Sequence, residues 1–462
     1  MNKPLFYIIL IFLFALLFSG SCSEENNGEL YPHGGDTTGI NDRCPPLELE
    51  VEQELPEDEL LDLVQRQTLK YFWDFDEPES GMARERNTSG NLVTAGGTGF
   101  GIMAMIAGAE RGFIQREEFL QRMLKIGNFL YHADRFHGAW AHWMDGTTGE
   151  ALPFSEKDNG GDLVETAFLV QGLIAAREYF DSNTPLEDSL RNLVDTLWHE
   201  VNWQWYTQEQ NTLYWHWSPD YDFEMNMQIK GWNEAMIVYV LAAASPTYPI
   251  EPEVYHQGWA SDGNMVNGGT FYNLQLPLGT NFGGPLFFAH YSFLGLDPRG
   301  LHDTYADYWE QNRVHSLIHY KYAINNPENF CHYSDSLWGL TASDDPVEGY
   351  QAHAPFGYYG NDNGTITPTA ALSSMPYTPE ESKKALRTFY YYLHNDLWGS
   401  YGFKDAFNLD LEWFASSYLA IDQGPIIIMI ENYRSGLIWD IFMKNEDVNH
   451  GLEKLGFYYE EP

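Results

Sequence analysis

Positive charge and cysteine are both scarce in this sequence. Lysine and arginine number 25 against 66 aspartates and glutamates, a formal net charge of −41 over 462 residues. That balance excludes nucleic acid as a partner, because binding to a phosphate backbone is driven by counterions displaced from basic surface. A neutral polymer is the more natural partner, while much of the acidity keeps the surface solvated. The three cysteines lie far apart: Cys22 ends an apolar leader, Cys44 sits in a proline-flanked linker and Cys331 is alone in the body. Neither a disulfide framework nor a zinc pattern follows from those positions. His199, His216, His290 and His332 have no metal-ligand spacing. The run Gly96-Gly97-Thr98-Gly99-Phe100-Gly101 lacks the lysine and the strand context of a phosphate loop. Asp145–Glu150 and Asn361–Gly364 stop short of a calcium ligand set and read as turns. No metal and no cofactor is expected.

Aromatic residues are abundant, at 16% of the chain with 15 tryptophans and 30 tyrosines. Two readings compete for each ring. It packs in a core that a 44% hydrophobic content can fill, or it stacks on the flat apolar face of a sugar. Trp140, Trp143, Trp205, Trp217 and Trp232, in or beside long polar loops, are the candidate sugar platforms.

The chain divides into a leader (1–21), a tether (22–55) and a body (56–462). Pro4 to Gly20 is almost wholly apolar and follows Lys3, the layout of an export signal. A membrane-spanning helix is the alternative for so borderline a length. Ser19-Gly20-Ser21-Cys22 resembles a bacterial lipoprotein cleavage site, with serine at 19 where leucine is usual. Cys22 would then carry the lipid and tether the protein to a membrane. The acidic Ser23-Glu24-Glu25 stretch resembles the surface-export signals of Bacteroidetes lipoproteins, so the outer membrane, cell surface or periplasm is the expected location. Polar, Gly- and Pro-bearing composition makes 22–55 a flexible linker.

The body reads as helix after helix. Glu57, Asp58 and Glu59 begin the first, followed by Leu60, Leu61, Val64, Leu69 and Phe72 at helical spacing. Further helices are expected over 100–109, 117–133, 162–180, 186–199, 232–244, 284–293, 304–322, 368–374, 380–394, 413–420, 424–433, 437–442 and 448–455. Between them run long loops rich in Gly, Trp, Tyr and Asp, at 137–159, 201–230 and 344–366, a length that usually marks function. Thr212–Trp217 alternates polar and aromatic residues, so a short strand is expected there. The fold class is all-α, with paired helices closed into an (α/α)6 barrel whose loops gather at one mouth. An irregular bundle or an α-solenoid is the alternative.

Acidic residues at helix starts carry the chemistry. In Asp158-Asn159-Gly160-Gly161-Asp162-Leu163-Val164-Glu165, Asp162 and Glu165 share a helix face and lead into an apolar helix. Capping accounts for Asp162 as well as function does, but leaves Asp158 unexplained. Glu234, in Gly231-Trp232-Asn233-Glu234, precedes the apolar run Ala235–Ala244. Burial there raises a carboxyl pKa, which suits a general acid; an ordinary first-turn glutamate is the alternative. Asp422, in Ile421-Asp422-Gln423-Gly424-Pro425, has apolar flanks on both sides, where an unpaired charge is costly. Several buried carboxyls beside aromatics fit glycosidic hydrolysis, which needs one group to protonate the leaving oxygen and another to activate water or attack the sugar.

Together, Tyr71-Phe72-Trp73-Asp74-Phe75, Gly96–Gly101, Gly161–Ala167, Gly231–Glu234 and Ile421–Pro425 resemble the blocks of the glucoamylase-like domain, and most of all glycoside hydrolase family 144, the bacterial β-1,2-glucanases. The resemblance covers roughly 57–458. It implies an (α/α)6 barrel and an inverting reaction on β-1,2-glucan. It places the acidic cluster on Asp158, Asp162 and Glu165, the general acid on Glu234 and the base on Asp422, acting through a substrate hydroxyl and a water; Asp162 or Glu165 could share the base role. Members either cut internally or release sophorose from a chain end, and the sequence does not separate the two. A hydrolase of another glucan, a lyase, and a non-catalytic glycan-binding lipoprotein are the competing readings. A glucan-sized cleft fits a monomer.

Overall fold

A computed structural model of the chain describes residue 44, residues 46–356 and residues 360–460. The expected leader, the lipidation site Cys22 and the tether as far as residue 43 lie outside the described residues. Helices dominate what is described. In chain order the α-helices are α1 (Glu57–Trp73), α2 (Ala95–Glu110), α3 (Arg116–His132), α4 (Leu163–Tyr179), α5 (Pro185–His199), α6 (Met236–Ala244) and α7 (Tyr308–Asn325). They continue with α8 (Pro368–Ser373), α9 (Pro379–Tyr392), α10 (His394–Leu397), α11 (Ala420–Ser435), α12 (Leu437–Phe442) and α13 (Glu446–Leu455).

Two helix types follow from the residue pattern. In α3 the buried side chains Phe119, Leu120, Met123, Ile126 and Leu130 recur at helical spacing, one stripe facing inward. Helices α1, α5, α9 and α13 are striped in the same way. By contrast α2, α4, α6, α8 and α11 are buried nearly all round. These buried helices pack side by side in the order α6, α4, α2, α11, α8, with striped helices outside them: α5 on α3, α1 on α2 and α11, α9 on α8, α13 on α6. No described helix is long and apolar enough to cross a membrane.

The closest approach is between α2 and α4. A Cβ on Gly99 would stand 2.1 Å from the Phe168 carbonyl oxygen, and one on Gly172 2.2 Å from the Gly99 carbonyl oxygen. Only glycine permits this mutual contact. The glycine run expected outside the helix thus forms the first turns of α2, and it delivers the Gly96 N–H to the side chain of Glu165 on α4, 2.7 Å away.

The all-α expectation misses a set of short antiparallel strands in the connections. Trp143–Asp145 pairs with Leu92–Thr94 and with Ala151–Leu152, Gly161–Asp162 with His216–Trp217, and Ala342–Asp345 with Gly349–Ala352. The strand expected within Thr212–Trp217 is there, as Leu213–Tyr214 and His216–Trp217. Three expected helices differ. Residues 413–420 start as the strand Trp413–Phe414, 284–293 form two 3-10 turns, and α6 begins at Met236, leaving Glu234 in the preceding turn.

The expected tether is also too long. Residues 47–55 lie on α9: the Glu50 N–H donates to the Tyr391 carbonyl at 2.8 Å, the Leu55 N–H donates to the Tyr391 hydroxyl, and Leu47, Val51 and Leu55 join the apolar cluster beneath. Cys44 and Cys331, read as unrelated in the sequence, form a disulfide across a separation of 287 residues. Pairing at that distance is set by the packing of this segment on the body, which no spacing encodes.

Candidate active site

Two groups of carboxyls face each other across one tyrosine. The first is built around the start of α4. Asp162 is fully buried and uses both oxygens. Its Oδ1 accepts the N–H of Val164 and of Glu165, each at 2.9 Å, so it is the N-cap of α4. Its Oδ2 meets His142 Nδ1 at 3.2 Å and the indole N–H of Trp215 at 3.3 Å. Burial raises its pKa, but hydrogen bonding to His142 and the charges of His216 and His142 bring the net shift below the usual carboxylate value. Asp158, held in a turn that closes on Ser155, reaches His216 Nε2 at 3.2 Å. Glu165 accepts from the Gly96 N–H and from the Thr94 hydroxyl at 3.1 Å, with His142 Nε2 3.9 Å from its other oxygen. Burial, reinforced by Asp162, raises its pKa despite His142. Burial also disfavours the His142 imidazolium, yet Glu165, Asp162 and Asp158 outweigh it and push the pKa up to about 10.

Glu234 enters this group from the turn before α6. No side chain of its own caps that helix. Instead the Ser292 hydroxyl donates to the Glu234 carbonyl and accepts the Ile237 N–H, while Asn233 Oδ1 accepts the Ala235 N–H at 2.9 Å. The turn is fixed and the carboxyl is left half-buried. Burial, then the charges of Asp162 and Glu165, push its pKa up to about 7.

The second group surrounds Asp422 in the first turn of α11. Asp422 is 3% exposed and neither carboxyl oxygen has a donor from another residue. Its neighbour is Asp405, whose Oδ2 accepts the Asp344 N–H at 2.6 Å. Asp344 binds Arg86 at 3.0 Å and accepts from the Ser417 hydroxyl; Arg86 in turn grips Glu85 at 2.9 Å. Burial and then the charge of Asp405 raise the Asp422 pKa well above the carboxylate range. Tyr291 joins the groups: its ring packs on Phe100, Phe168 and Phe287, and its hydroxyl feels the charges of both Asp422 and Glu234.

The structure thus brings Asp158, Asp162, Glu165 and Glu234 together and sets Asp422 across from them. The tryptophans fare differently. Trp143 lies edge-on to Phe154 at 4.7 Å and beside His142, at the first group. Trp140 is fully buried, its indole N–H donates to the Leu130 carbonyl, and the Arg135 guanidinium covers its face, so it is core rather than platform. Trp232, 5% exposed, packs on Phe293 and Tyr308 and is a correction of the same kind. Trp217 projects from the opposite face of its strand to His216, and so away from Asp162, against Phe136 and His137. Trp205 stacks on the same His137 at 3.9 Å, on that outer side.

Among the described residues, one set has the geometry to hold a metal ion: His142, Asp158 and Asp162, with ligand atoms within 4.8 Å of one another. A nitrogen and oxygen donor set of this kind suits zinc or a similar ion. The same atoms are engaged in ion pairs with each other and with His216.

A family model described as "Putative glucoamylase" matches residues 226–446. A solved structure described in the same words, from Bacteroides uniformis, is 56% identical and covers 88% of this chain and 99% of its own, with a TM-score of 0.86. The endo-β-1,2-glucanase of Chitinophaga pinensis, solved with sophorotriose and glucose, is 51% identical over 88% of this chain and 99% of its own, at a TM-score of 0.85. The chain belongs to this glucoamylase-like family. A curated relative, the exo β-1,2-glucooligosaccharide sophorohydrolase (non-reducing end) of Parabacteroides distasonis, is 47% identical over 422 residues; they make up 87% of this chain but only 58% of that relative's length.

Sequence reasoning missed much of what surrounds the acids in this glucoamylase-like chain. His142, Trp215, Arg86, Asp344, Asp405, Tyr291 and Tyr350 come from six separate connections and carry no local signature. For Trp215 and His216 strand alternation could not have found both: they are adjacent, Trp215 lies in the bend between the two short strands, and yet both reach Asp162.

Proposed function

We propose that the chain is a glycoside hydrolase of family 144 that cleaves β-1,2-glucan or its oligosaccharides with inversion, the site lying at the mouth of an (α/α)6 ring of helices. The observation that carries this reading is Glu234, a half-buried carboxyl whose pKa is pushed up to about 7 and which is held rigidly beside ionised acids. At neutral pH a large share of it is protonated, so it can give its proton to the glycosidic oxygen as the bond to the anomeric carbon breaks. Water attacks that carbon from the opposite face, and its proton passes through a substrate hydroxyl to Asp422. Asp162 is fully committed to capping α4 and to His142, so it orients the site rather than acting as the base. Glu165 and Asp158 give the acid pocket its negative field, which favours the positive charge developing on the sugar ring. Trp143 and Phe154 supply a stacking wall.

The leader and Cys22 support a lipid-anchored, exported protein working as a monomer. The Cys44–Cys331 disulfide fits an oxidising compartment outside the cytoplasm.

The test is incubation of the leaderless protein with linear β-1,2-glucan, following product sizes with time and product anomer by NMR. Mixed short oligomers from the start mean internal cutting, and sophorose alone means action from a chain end. Absence of products, while another glucan is cut, overturns the substrate; a retained anomer overturns the inversion.

A further inference from the structure

We infer that the outer face of the 205–230 loop is a second glucan-binding site, separate from the acids: an exposed shelf at Trp205 stacks on one glucose residue of a β-1,2-glucan chain, and an amide-lined pocket beside it hydrogen-bonds the hydroxyls of the neighbouring residues. The inference rests on the reading of the substrate as a neutral glucan.

The shelf is held in place. Trp205 is 42% exposed, and among the described residues no other tryptophan is so open. The His137 ring lies flat against its indole, with centroids 3.9 Å apart and planes 18° from parallel, and Phe223 lies beside it at 6.3 Å. With one face covered and so much of the side chain exposed, the other face is turned to solvent. His137 is positioned by the two-residue turn His137-Gly138, both at positive φ, which joins Arg135–Phe136 to Ala139–Trp140. A ring fixed in this way loses little side-chain freedom when the flat apolar face of a sugar settles on it.

The pocket adjoins the shelf through Tyr214. The Tyr214 ring packs against Phe223 at 5.9 Å, and its hydroxyl donates to Gln210 Oε1 at 3.1 Å and accepts from Gln228 Nε2 at 3.0 Å. Gln210, Asn211, Gln228, Gln257 and Asn264 line an open cavity of about 430 Å³, within the range of about 300–1,000 Å³ usual for small ligands. Across it Asn211 Nδ2 donates to Gln257 Oε1 at 3.0 Å. These bonds orient the side chains but use only part of each amide. The NH2 groups of Gln210 and Gln257 and the Asn211 side-chain oxygen are left for a ligand. The lining is nearly neutral in a chain of net charge −41: its charged members are Lys230, bound to Gln228 Oε1 at 3.2 Å, and Asp262, one of each sign. Uncharged donors and acceptors beside an open ring match a ligand with a polar rim and an apolar face, which is what a neutral sugar presents.

The site lies behind the acids. His216 reaches Asp158 and Asp162, whereas Trp217, next along the strand, turns to Phe136 and to His137 at the back of the shelf. The loop then runs through Gln228–Ile229 and Lys230, at the edge of the pocket, into the turn that carries Glu234. Glucan bound at the shelf therefore stays near the acids without filling them. A long chain held at both places dissociates less readily than one held at the acids alone, and a short oligosaccharide does not span the two.

Native electrophoresis through gels containing linear β-1,2-glucan tests the site, in the Glu234→Gln background so that the polymer survives. Trp205 and Gln257 are both exposed, so truncating either leaves the core intact, and mobility in a glucan-free gel checks this. Trp205→Ala should weaken affinity for the polymer about fivefold or more through the lost stack, and Gln257→Ala about two- to tenfold through lost hydrogen bonds. Binding of sophorotriose, measured by titration calorimetry and reporting the acid site, should change less than about twofold, as expected of distant substitutions. Unchanged retardation in both variants overturns the inference. So does an equal loss for sophorotriose, which would place the effect at the acids. If linear β-1,2-glucan does not retard the Glu234→Gln protein but another neutral glucan does, the substrate reading fails and the same two variants decide the second site in that glucan. Retardation by no glucan overturns the second site outright.

Discussion

Glutamine in place of Glu234 should abolish turnover and, at the same time, make the protein more stable at alkaline pH. Both effects come from one environment. Burial, then Asp162 and Glu165, lift the carboxyl from an ordinary 4.5 to about 7. Between those two pH values the folded chain binds more protons at this site than the unfolded chain does. The free energy of unfolding therefore falls as pH rises: the site's contribution is complete below about pH 4.5 and is lost as pH passes about 7. The gap of about two and a half pH units corresponds to about 3 kcal/mol at 1.36 kcal/mol per unit. Partial solvent access reduces this to about 1–3 kcal/mol. Glutamine mimics the protonated carboxyl at every pH and removes the penalty. Urea unfolding of both proteins at pH 5 and pH 8 measures it: the variant should gain about 1–3 kcal/mol on the wild type between the two conditions. Turnover should fall by about 10²–10⁴-fold, the usual worth of a positioned general acid, and the wild-type kcat/KM profile should show its basic limb near pH 7. An unchanged stability gap between pH 5 and pH 8 would refute the raised pKa. A basic limb that survives in Glu234→Gln would refute its role as the acid.

Trp143→Ala should raise KM several-fold, since loss of a stacking partner costs about 1 kcal/mol or more, whereas Trp217→Ala should leave KM unchanged; steady-state kinetics on the same oligosaccharide decide between them. Cys331→Ser should lower stability by about 2–4 kcal/mol in urea unfolding under oxidising conditions, and a loss below about 0.5 kcal/mol would mean that the 47–55 segment is held by packing alone. His290 and His315 are buried and neutral, with pKa values lowered by burial to about 3 and about 4, and burial likewise holds His319 well below its usual value. The unfolded chain protonates them near pH 6.5, so their contribution to stability is complete above that pH and is lost as pH falls toward 4, at about 2 kcal/mol per histidine between pH 6.5 and 5. His315→Asn should flatten that slope by about one proton's worth, and an unchanged slope would contradict neutral burial.

What the sequence reveals is local, and what it conceals is assembled from distant segments. The core helices are legible because an unbroken apolar run such as Met236–Ala244 has nowhere to go but inside. The burial of Asp422 is legible for the same reason, since both its flanks are apolar. The cap at Asp162 is legible from a three-residue spacing. The Cys44–Cys331 bridge is not, because it depends on where residues 47–55 settle on α9. Nor are Asp344 and Asp405: Asp344 opens the long 344–366 loop, whose length marks function without singling out a residue, Asp405 carries no local signature, and only the meeting of these connections with the start of α11 makes them neighbours of Asp422. The tryptophans illustrate the ambiguity of a single ring. Trp140 and Trp143 are three residues apart on neighbouring strands, yet one is sealed under Arg135 and the other stands beside the acids.

The two carboxyl groups solve opposite electrostatic problems with the same residue type. Around Asp162, two imidazoles and helix N–H groups meet the negative charge, so the carboxylate there stays ionised and its geometry is pinned. Around Asp422, a single guanidinium serves several acids and is already engaged, so charge is relieved by retaining protons. Glu234 stands between these regimes: it is close enough to the ionised group to be pushed up by it, yet without the cation that would pull it down. The acidity that looks like a solvated surface in the composition is, at this site, an arrangement in which fixed negative charge prepares one neighbouring carboxyl to donate a proton.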